Sequence, residues 1–218
     1  MADSFSEFRR RLKRGLGLRT ERPTFAEPKY NQRAKRMLLD VCGILDEAQL
    51  PYTVDAGTLL GLVRDGDLIP WDDDLDLMLP VTALPRLDRV FGAIRGKGWQ
   101  ISKLYPMEVG APAWRLGDPR VLKIRRRFLK VIGPGTTVLD ISITYRQDDH
   151  YWWEMAQRIC RIPARFLDHT EYIEFAGQKL RVPSSREEYL ERTYGDWRNP
   201  RPDFGRDEFG IIFPNASP

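Results

Sequence analysis

Cysteine and histidine are scarce. Among 218 residues there are two cysteines, Cys42 and Cys160, and two histidines, His150 and His169. No CxxC pair exists, so neither a zinc ribbon nor a disulfide framework is expected, and a reduced, cytoplasmic location is the simplest reading. The histidines flank an aromatic segment and make no metal-binding pair. No apolar run approaches the ~20 residues that span a bilayer. The N-terminus lacks the apolar stretch of a secretory signal. GxxxxGK[ST] and GxSxG are both missing. An EF-hand is excluded as well: counted from Asp72, Leu77 and Ala83 stand where the calcium loop needs Gly and Glu.

Most of the chain also lacks net charge. Residues 1–22 hold seven Lys/Arg against three acids, which accounts for the whole formal charge of +4. The remainder is neutral, so no nucleic-acid partner is expected. In the tail, Phe5, Phe8, Leu12 and Leu16 follow helical spacing with arginines opposite, and Ser4 and Glu7 fit a capping box. Such a basic amphipathic segment suits peripheral contact with an anionic membrane at its inner face. The alternatives are a helix packed on its own domain or a disordered tail. Residues 1–29 are thus a tail and linker.

What is present is a patterned α+β (mixed α/β) chain. Tyr30–Gln49 carries a helical stripe of Met37, Leu38, Val41, Ile44, Leu45 and Ala48, stopped by Pro51. Tyr52–Val54 and "DLDLML" are expected strands, with one or two helical turns in "AGTLLGLVRDG" between them. A second amphipathic helix is expected over Pro85–Arg95. "WQISKLY", "VLKIRRRF" and "TTVLDISITY" follow as strands, the last rich in β-branched residues. Residues 30–149 form the core of this reading. Residues 150–218 form a C-terminal lobe. It comprises an aperiodic aromatic stretch, a hairpin turning at Gly177, and a helix that starts from a Ser184–Glu187 or Ser185–Glu188 capping box and stops at Gly195.

The chemistry concentrates in "IPWDDDLDLMLP". Alternate residues of a strand share a face, so Leu75, Leu77 and Leu79 turn to a core while Asp74 and Asp76 turn the other way together. Two carboxylates about 7 Å apart at their Cα atoms repel unless protonated or bridged by a hard cation. Magnesium prefers such oxygen ligands together with phosphate. Asp140, set in a β-branched strand, is the third candidate ligand; a structural pair with a basic residue is its other explanation. Gly57 and Thr58 form a polar turn at a helix start, where backbone N–H groups suit a phosphate. Arg64, Lys123 and Arg125 are candidate cations for the same site; Lys123 and Arg125 share a strand face, which would equally suit a solvated sheet edge. Asp73 and Asp72 lie at the mouth of the same site, and Trp71 is expected to pack in the core in preference to stacking on a base.

"GTLLGLVRDGDLIPWDDDLDLML" resembles the signature of the LicD/fukutin family, and "VPSSREEYLERTYGDW" resembles that family's C-terminal element. The resemblance implies a nucleotidyltransferase-like fold, a small mixed sheet flanked by helices. It also implies a Mg²⁺- or Mn²⁺-dependent phosphotransferase that moves a phospho-alcohol, such as phosphocholine or a polyol phosphate, from a CDP-linked donor. The acceptor would be a glycan or glycolipid, as in cell-surface polysaccharide modification. By position, Asp74 and Asp76 match the family's metal pair and Asp140 its third acid. Asp65-Gly66-Asp67 departs from the usual pattern and bears on substrate choice. A nucleotidyltransferase acting on protein, RNA or a small molecule, a metal-dependent glycosyltransferase and an inactive binding module are the rival readings.

Overall fold

The computed structural model describes residues 23–126 and 138–213. The basic tail, with its expected membrane contact and its Ser4–Glu7 capping box, lies outside the described residues.

Helix α1 (Pro28–Glu47) opens with proline in its first turn, where the missing N–H costs nothing. It buries Met37, Leu38, Val41, Ile44 and Leu45 of the expected stripe, with Ala48 half-buried against the core, and Ala34 besides. Gln49 ends it in a left-handed conformation (φ 53°), and Leu50 N–H closes back on the Leu45 carbonyl. Strand β1 (Thr53–Val54) follows, then α2 (Ala56–Arg64) and β2 (Leu75–Pro80). The expected helix over Pro85–Arg95 is broken into single turns. Val81–Ala83 and Asp88–Val90 are 3₁₀, and α3 (Leu84–Leu87) and α4 (Phe91–Gly96) are α-helical. Pro85 supplies no N–H, and Gly92 and Gly96 weaken helix propensity, so no regular helix spans the segment. Its inner residues are still buried, with Leu87, Val90 and Ile94 facing the core.

Strands β3 (Trp99–Pro106), β4 (Pro119–Arg126) and β5 (Val138–Gln147) complete the central sheet in the order β1-β2-β5-β4-β3. Only β2 and β5 pair in parallel; every other pair is antiparallel. The core face carries Leu75, Leu77 and Leu79 of β2 and Leu139, Ile141 and Ile143 of β5, all fully buried in one cluster with the α1 stripe.

The aromatic stretch after residue 149 is not aperiodic. It is a hairpin of β6 (His150–Met155) and β7 (Arg158–Pro163) that continues the same seven-stranded sheet. Its turn, Ala156–Gln157, has positive φ at both residues (50° and 65°), the geometry usually signalled by Asn-Gly. A four-residue helix α5 (Arg165–Asp168) leads to the expected hairpin of β8 (Thr170–Phe175) and β9 (Gln178–Pro183). Helix α6 (Arg186–Tyr194) ends at Gly195 (φ 66°) as expected. Its expected capping box does not form. Ser185 is left-handed and makes no side-chain cap, and the Ser184 hydroxyl donates to the Arg165 carbonyl.

Both cysteines are buried as free thiols. Burial pushes the Cys160 thiol up to about 12, and the Cys42 thiol also moves strongly upward. Native protein at pH 8 is therefore expected to leave both cysteines unlabelled by a thiol reagent. In denaturant both should react; stoichiometric labelling of the native protein would contradict this burial.

Candidate active site

The sheet register assembles the polar row. Asp76 of β2 stands beside Asp140 of β5 in the parallel pair, and Asp140 stands opposite Lys123 of β4. Lys123 Nζ donates to Asp140 Oδ2. Asp140 Oδ1 is buried and has no hydrogen-bond partner among the described residues. Asp74 lies just before the strand.

Helix α2 grips Asp76 by its backbone. The Asp76 N–H donates to the Thr58 hydroxyl (2.9 Å), and the Asp76 carbonyl accepts from Asp55 N–H (3.1 Å). Asp55 is itself buried and accepts from the Tyr189 hydroxyl (2.6 Å) of α6. The C-terminal helix thereby braces the first turn of α2, and that turn sets β2. Burial pushes the Asp55 carboxyl upward, opposed by the Tyr189 and Ala56 hydrogen bonds. Thr58 is fully buried, with its oxygen engaged at Asp76 N–H. A Thr58→Val variant keeps the shape and strands a buried N–H. A loss of about 1–3 kcal/mol is expected, read as a lower midpoint in urea unfolding. An unchanged midpoint would show that this bond does not hold the strand.

The loop before β2 is equally fixed. Asp72 Oδ1 accepts from Asp73 N–H (2.8 Å), the Asp72 carbonyl accepts from Phe25 N–H (2.9 Å), and the Asp73 carbonyl accepts from the Tyr30 hydroxyl (2.6 Å). Gly57 explains the first glycine of the motif. A Cβ there would lie 2.2 Å from Asp72 Oδ2, so the Asp72 carboxylate occupies the space a side chain would take. The start of α2 thus faces a carboxylate of the chain itself, which its partial positive charge favours.

Carboxylate oxygens of Asp72, Asp73 and Asp74 come within 4.8 Å of one another, close enough to share a cation. Asp76 is half-buried on the strand face that turns from the core. Its carboxyl is pushed well upward, first by burial and then by Asp74, Asp72, Asp140 and Asp55. Five acids converging on one position are unfavourable. An all-oxygen donor set with one orphaned buried oxygen, at Asp140, fits a hard divalent cation. Asp72 and Asp73, which the sequence left at the mouth, join the acids that face this position.

These residues line a cavity of about 630 Å³, within the usual range for a small-molecule site. Gly57, Arg64, Asp74, Asp76, Lys123 and Asp140 all reach it. Arg125 shares the Lys123 face but sits two residues along, opposite Val138, and is not among the lining residues. Arg64 is committed to Asp65 through Nε (2.8 Å) and Nη2 (2.7 Å) and lies over the Trp71 ring. Trp71 is not a core residue: it is 41% exposed and lines the cavity.

The sequence reading missed two parts of the wall. Arg120 and Glu154 form one end, and Tyr194, Trp197, Arg201 and Phe204 form another. "YGDW" was visible as a helix terminus, but nothing local places it beside Asp76. Glu154, an acid in a Trp-rich strand, was the signal that could have been followed.

A family model described as "LicD/FKTN/FKRP, nucleotidyltransferase domain" matches residues 49–185. The chain belongs to the LicD/FKTN/FKRP family. Its mixed sheet with flanking helices is the nucleotidyltransferase-like fold which that description names. The LicD/FKTN/FKRP domain is 39% identical over 160 residues to the human ribitol 5-phosphate transferase FKRP, covering 71% of this chain and 30% of that protein. It is 24% identical over 175 residues to the ribitol-5-phosphate transferase FKTN of Macaca fascicularis, covering 78% and 34%. It is 23% identical over 183 residues to the uncharacterized protein RP689 of Rickettsia prowazekii, covering 82% and 56%. The chain spans about a third of the length of the named transferases. Among solved structures, the antibiotic-resistance factor ANT(2'')-Ia aligns with a TM-score of 0.46 at 16% identity, over 82% of this chain and 80% of that one. Asp74, Asp76, Lys123, Asp140 and Glu154 all fall inside the matched residues; Tyr194 and Trp197 lie beyond them.

Proposed function

We propose that this LicD/FKTN/FKRP domain transfers a phospho-alcohol from a CDP-linked donor to a glycan hydroxyl and releases CMP. The observation that carries the reading is the row Asp76–Asp140–Lys123, with Asp74 beside it, in a cavity of small-molecule size. The relatives named as ribitol 5-phosphate transferases make a polyol phosphate the first donor to try.

Asp74, Asp76 and Asp140 would hold Mg²⁺ or Mn²⁺, with Asp72 and Asp73 adjoining. Such a cation, when bound, neutralises the donor's diphosphate and lowers the pKa of the acceptor hydroxyl. The protein does the rest. The acceptor oxygen attacks the phosphorus that carries the alcohol, and the bond from that phosphorus to the CMP oxygen breaks. Asp140 would give Oδ1, the oxygen without a partner among the described residues, to the cation, and the acceptor proton passes to a neighbouring carboxylate of the cluster. Lys123 fixes the other oxygen of Asp140 and adds positive charge where the transferred group becomes more anionic. Arg120 and Arg64 supply further positive charge along the cavity wall for the departing nucleotide.

Phosphorus NMR tests this directly. With Mg²⁺, CDP-ribitol and a glycan acceptor, the diphosphate signals are expected to fall as CMP and a phosphodiester to the glycan appear. If CDP-ribitol and CDP-choline both stay intact while ATP yields pyrophosphate, or a nucleotide sugar yields UDP or GDP, the reading is wrong.

A further inference from the structure

We infer that the end of the cavity built by Arg120, Glu154 and Ser142 is a subsite for hydroxyl groups, taking the polyol or sugar part of a substrate. This rests on the phospho-alcohol reading and names what that site accepts.

Glu154 is the unusual group. It is 3% exposed, sits in strand β6 and lines the cavity. Its Oε2 is clamped by two backbone amides, Glu108 N–H at 2.7 Å and Val109 N–H at 3.1 Å. Its Oε1 is buried without a hydrogen-bond partner among the described residues. Arg120 Nε lies 3.7 Å from Oε1, near enough to balance the charge but too far for a hydrogen bond. Arg120 is held elsewhere: Nε donates to the Pro106 carbonyl (3.0 Å), and Nη2 donates to Glu108 Oε1 (2.5 Å). A charge-balanced carboxylate therefore keeps one acceptor free, beside a guanidinium.

An orphaned carboxylate oxygen calls for an O–H or N–H donor. A hydroxyl can donate to Glu154 and accept from Arg120 at once. A quaternary ammonium can do neither, and it would meet the Arg120 charge. The position also fits. Ser142 follows Asp140 on the same face of β5, about 7 Å along the strand, and lines the cavity beside Val121, its register partner. An alcohol a few carbons long, esterified to a phosphate at Asp76 and Asp140, would run over Ser142 toward Glu154. The hydroxyls could come from the donor's polyol or from the acceptor's sugar. The chemistry is shared, and the two sources are separable by experiment.

The test is calorimetric titration with Mg²⁺ present, using CDP, CDP-ribitol and CDP-pentanol, the last offering the same chain length without free hydroxyls. Wild-type protein is expected to bind CDP-ribitol about tenfold or more tighter than CDP-pentanol, the scale of a hydrogen bond to a charged group. Glu154→Gln keeps an oxygen for the two amides and turns the free acceptor into a donor. It should bring that ratio to about one. A second arm titrates a short oligosaccharide in the presence of CDP. A Glu154-dependent signal there, with no ribitol preference, assigns the subsite to the acceptor. Equal binding of CDP-ribitol and CDP-pentanol by wild type, with no Glu154-dependent oligosaccharide signal, overturns the inference while CDP binding preserves the donor reading. Failure of wild type to bind CDP at all overturns both. The comparison of ligands on wild type stands even if the variant does not fold.

Discussion

Asp76→Asn is expected to abolish transfer while making the metal-free protein more stable. Loss of a cation ligand should lower kcat on the order of a thousandfold. The stability gain follows from the surroundings of Asp76. Its folded-state carboxyl is pushed well above the ordinary value of 3.8, by burial first and then by its acidic neighbours. A carboxyl with a raised folded pKa destabilises the fold once the unfolded chain ionises. The penalty is absent below about 3.8, grows as pH rises toward the folded pKa, and is constant above it. Asparagine removes the penalty. Calorimetry in EDTA should therefore give a higher melting temperature for the variant at pH 7 and nearly equal values at pH 3. Mn²⁺ should raise the melting temperature of wild type and leave the variant unmoved. A variant that is less stable at pH 7 in EDTA would show that Asp76 is compensated in some other way.

Gly61→Ala has the second large effect, on folding. The last glycine of "GTLLG" lies where a Cβ would sit 2.5 Å from the Asp67 carbonyl oxygen and 3.0 Å from Ile69 N. Both are backbone atoms, so the segment leading into the acidic loop must shift. Overpacking of this kind costs about 1–3 kcal/mol or more. At this chain length that lowers the melting temperature by roughly 3–10 °C. Gly92→Ala is the control. Nothing lies within 4 Å of its added Cβ in helix α4, so a gain of about 0.5–1 kcal/mol is expected. Thermal melts of the two variants should move in opposite directions. A neutral Gly61→Ala would mean that the loop does not pack on α2 as described.

Where local pattern decided the structure, the sequence reading held. The alternation of Leu75, Leu77 and Leu79 placed Asp76 on the opposite face, and the α1 stripe is the buried one. The hairpin turning at Gly177 and the helix ending at Gly195 carry their glycines at positive φ. What failed was conformation with no local signal. The β6–β7 turn uses Ala156 and Gln157, residues that do not advertise a left-handed backbone. The capping box at α6 is spelled out in the sequence, yet Ser184 bonds to Arg165 and Ser185 turns left-handed. Trp71 is a large apolar residue, and its exposure follows from lying over Arg64 at the cavity wall.

The site itself was half visible. Asp74 and Asp76 declare themselves by spacing, whereas the register that sets Asp140 between Asp76 and Lys123 is a property of the assembled sheet. The roles of Gly57 and Thr58 also depend on assembly. One gives Asp72 room and the other holds the Asp76 backbone. Arg120 and Glu154 come from β4 and β6, two strands that each pair with β5, so no contiguous motif announces them.

The measurement closest to the central claim is titration of CDP-ribitol with and without Mg²⁺, on wild type, Asp76→Asn and Asp140→Asn. The account predicts binding that requires the cation and is lost in both variants. Cation-independent binding, or binding retained in both variants, would contradict it. So would wild-type protein that ignores every CDP-linked alcohol and binds ATP or a nucleotide sugar.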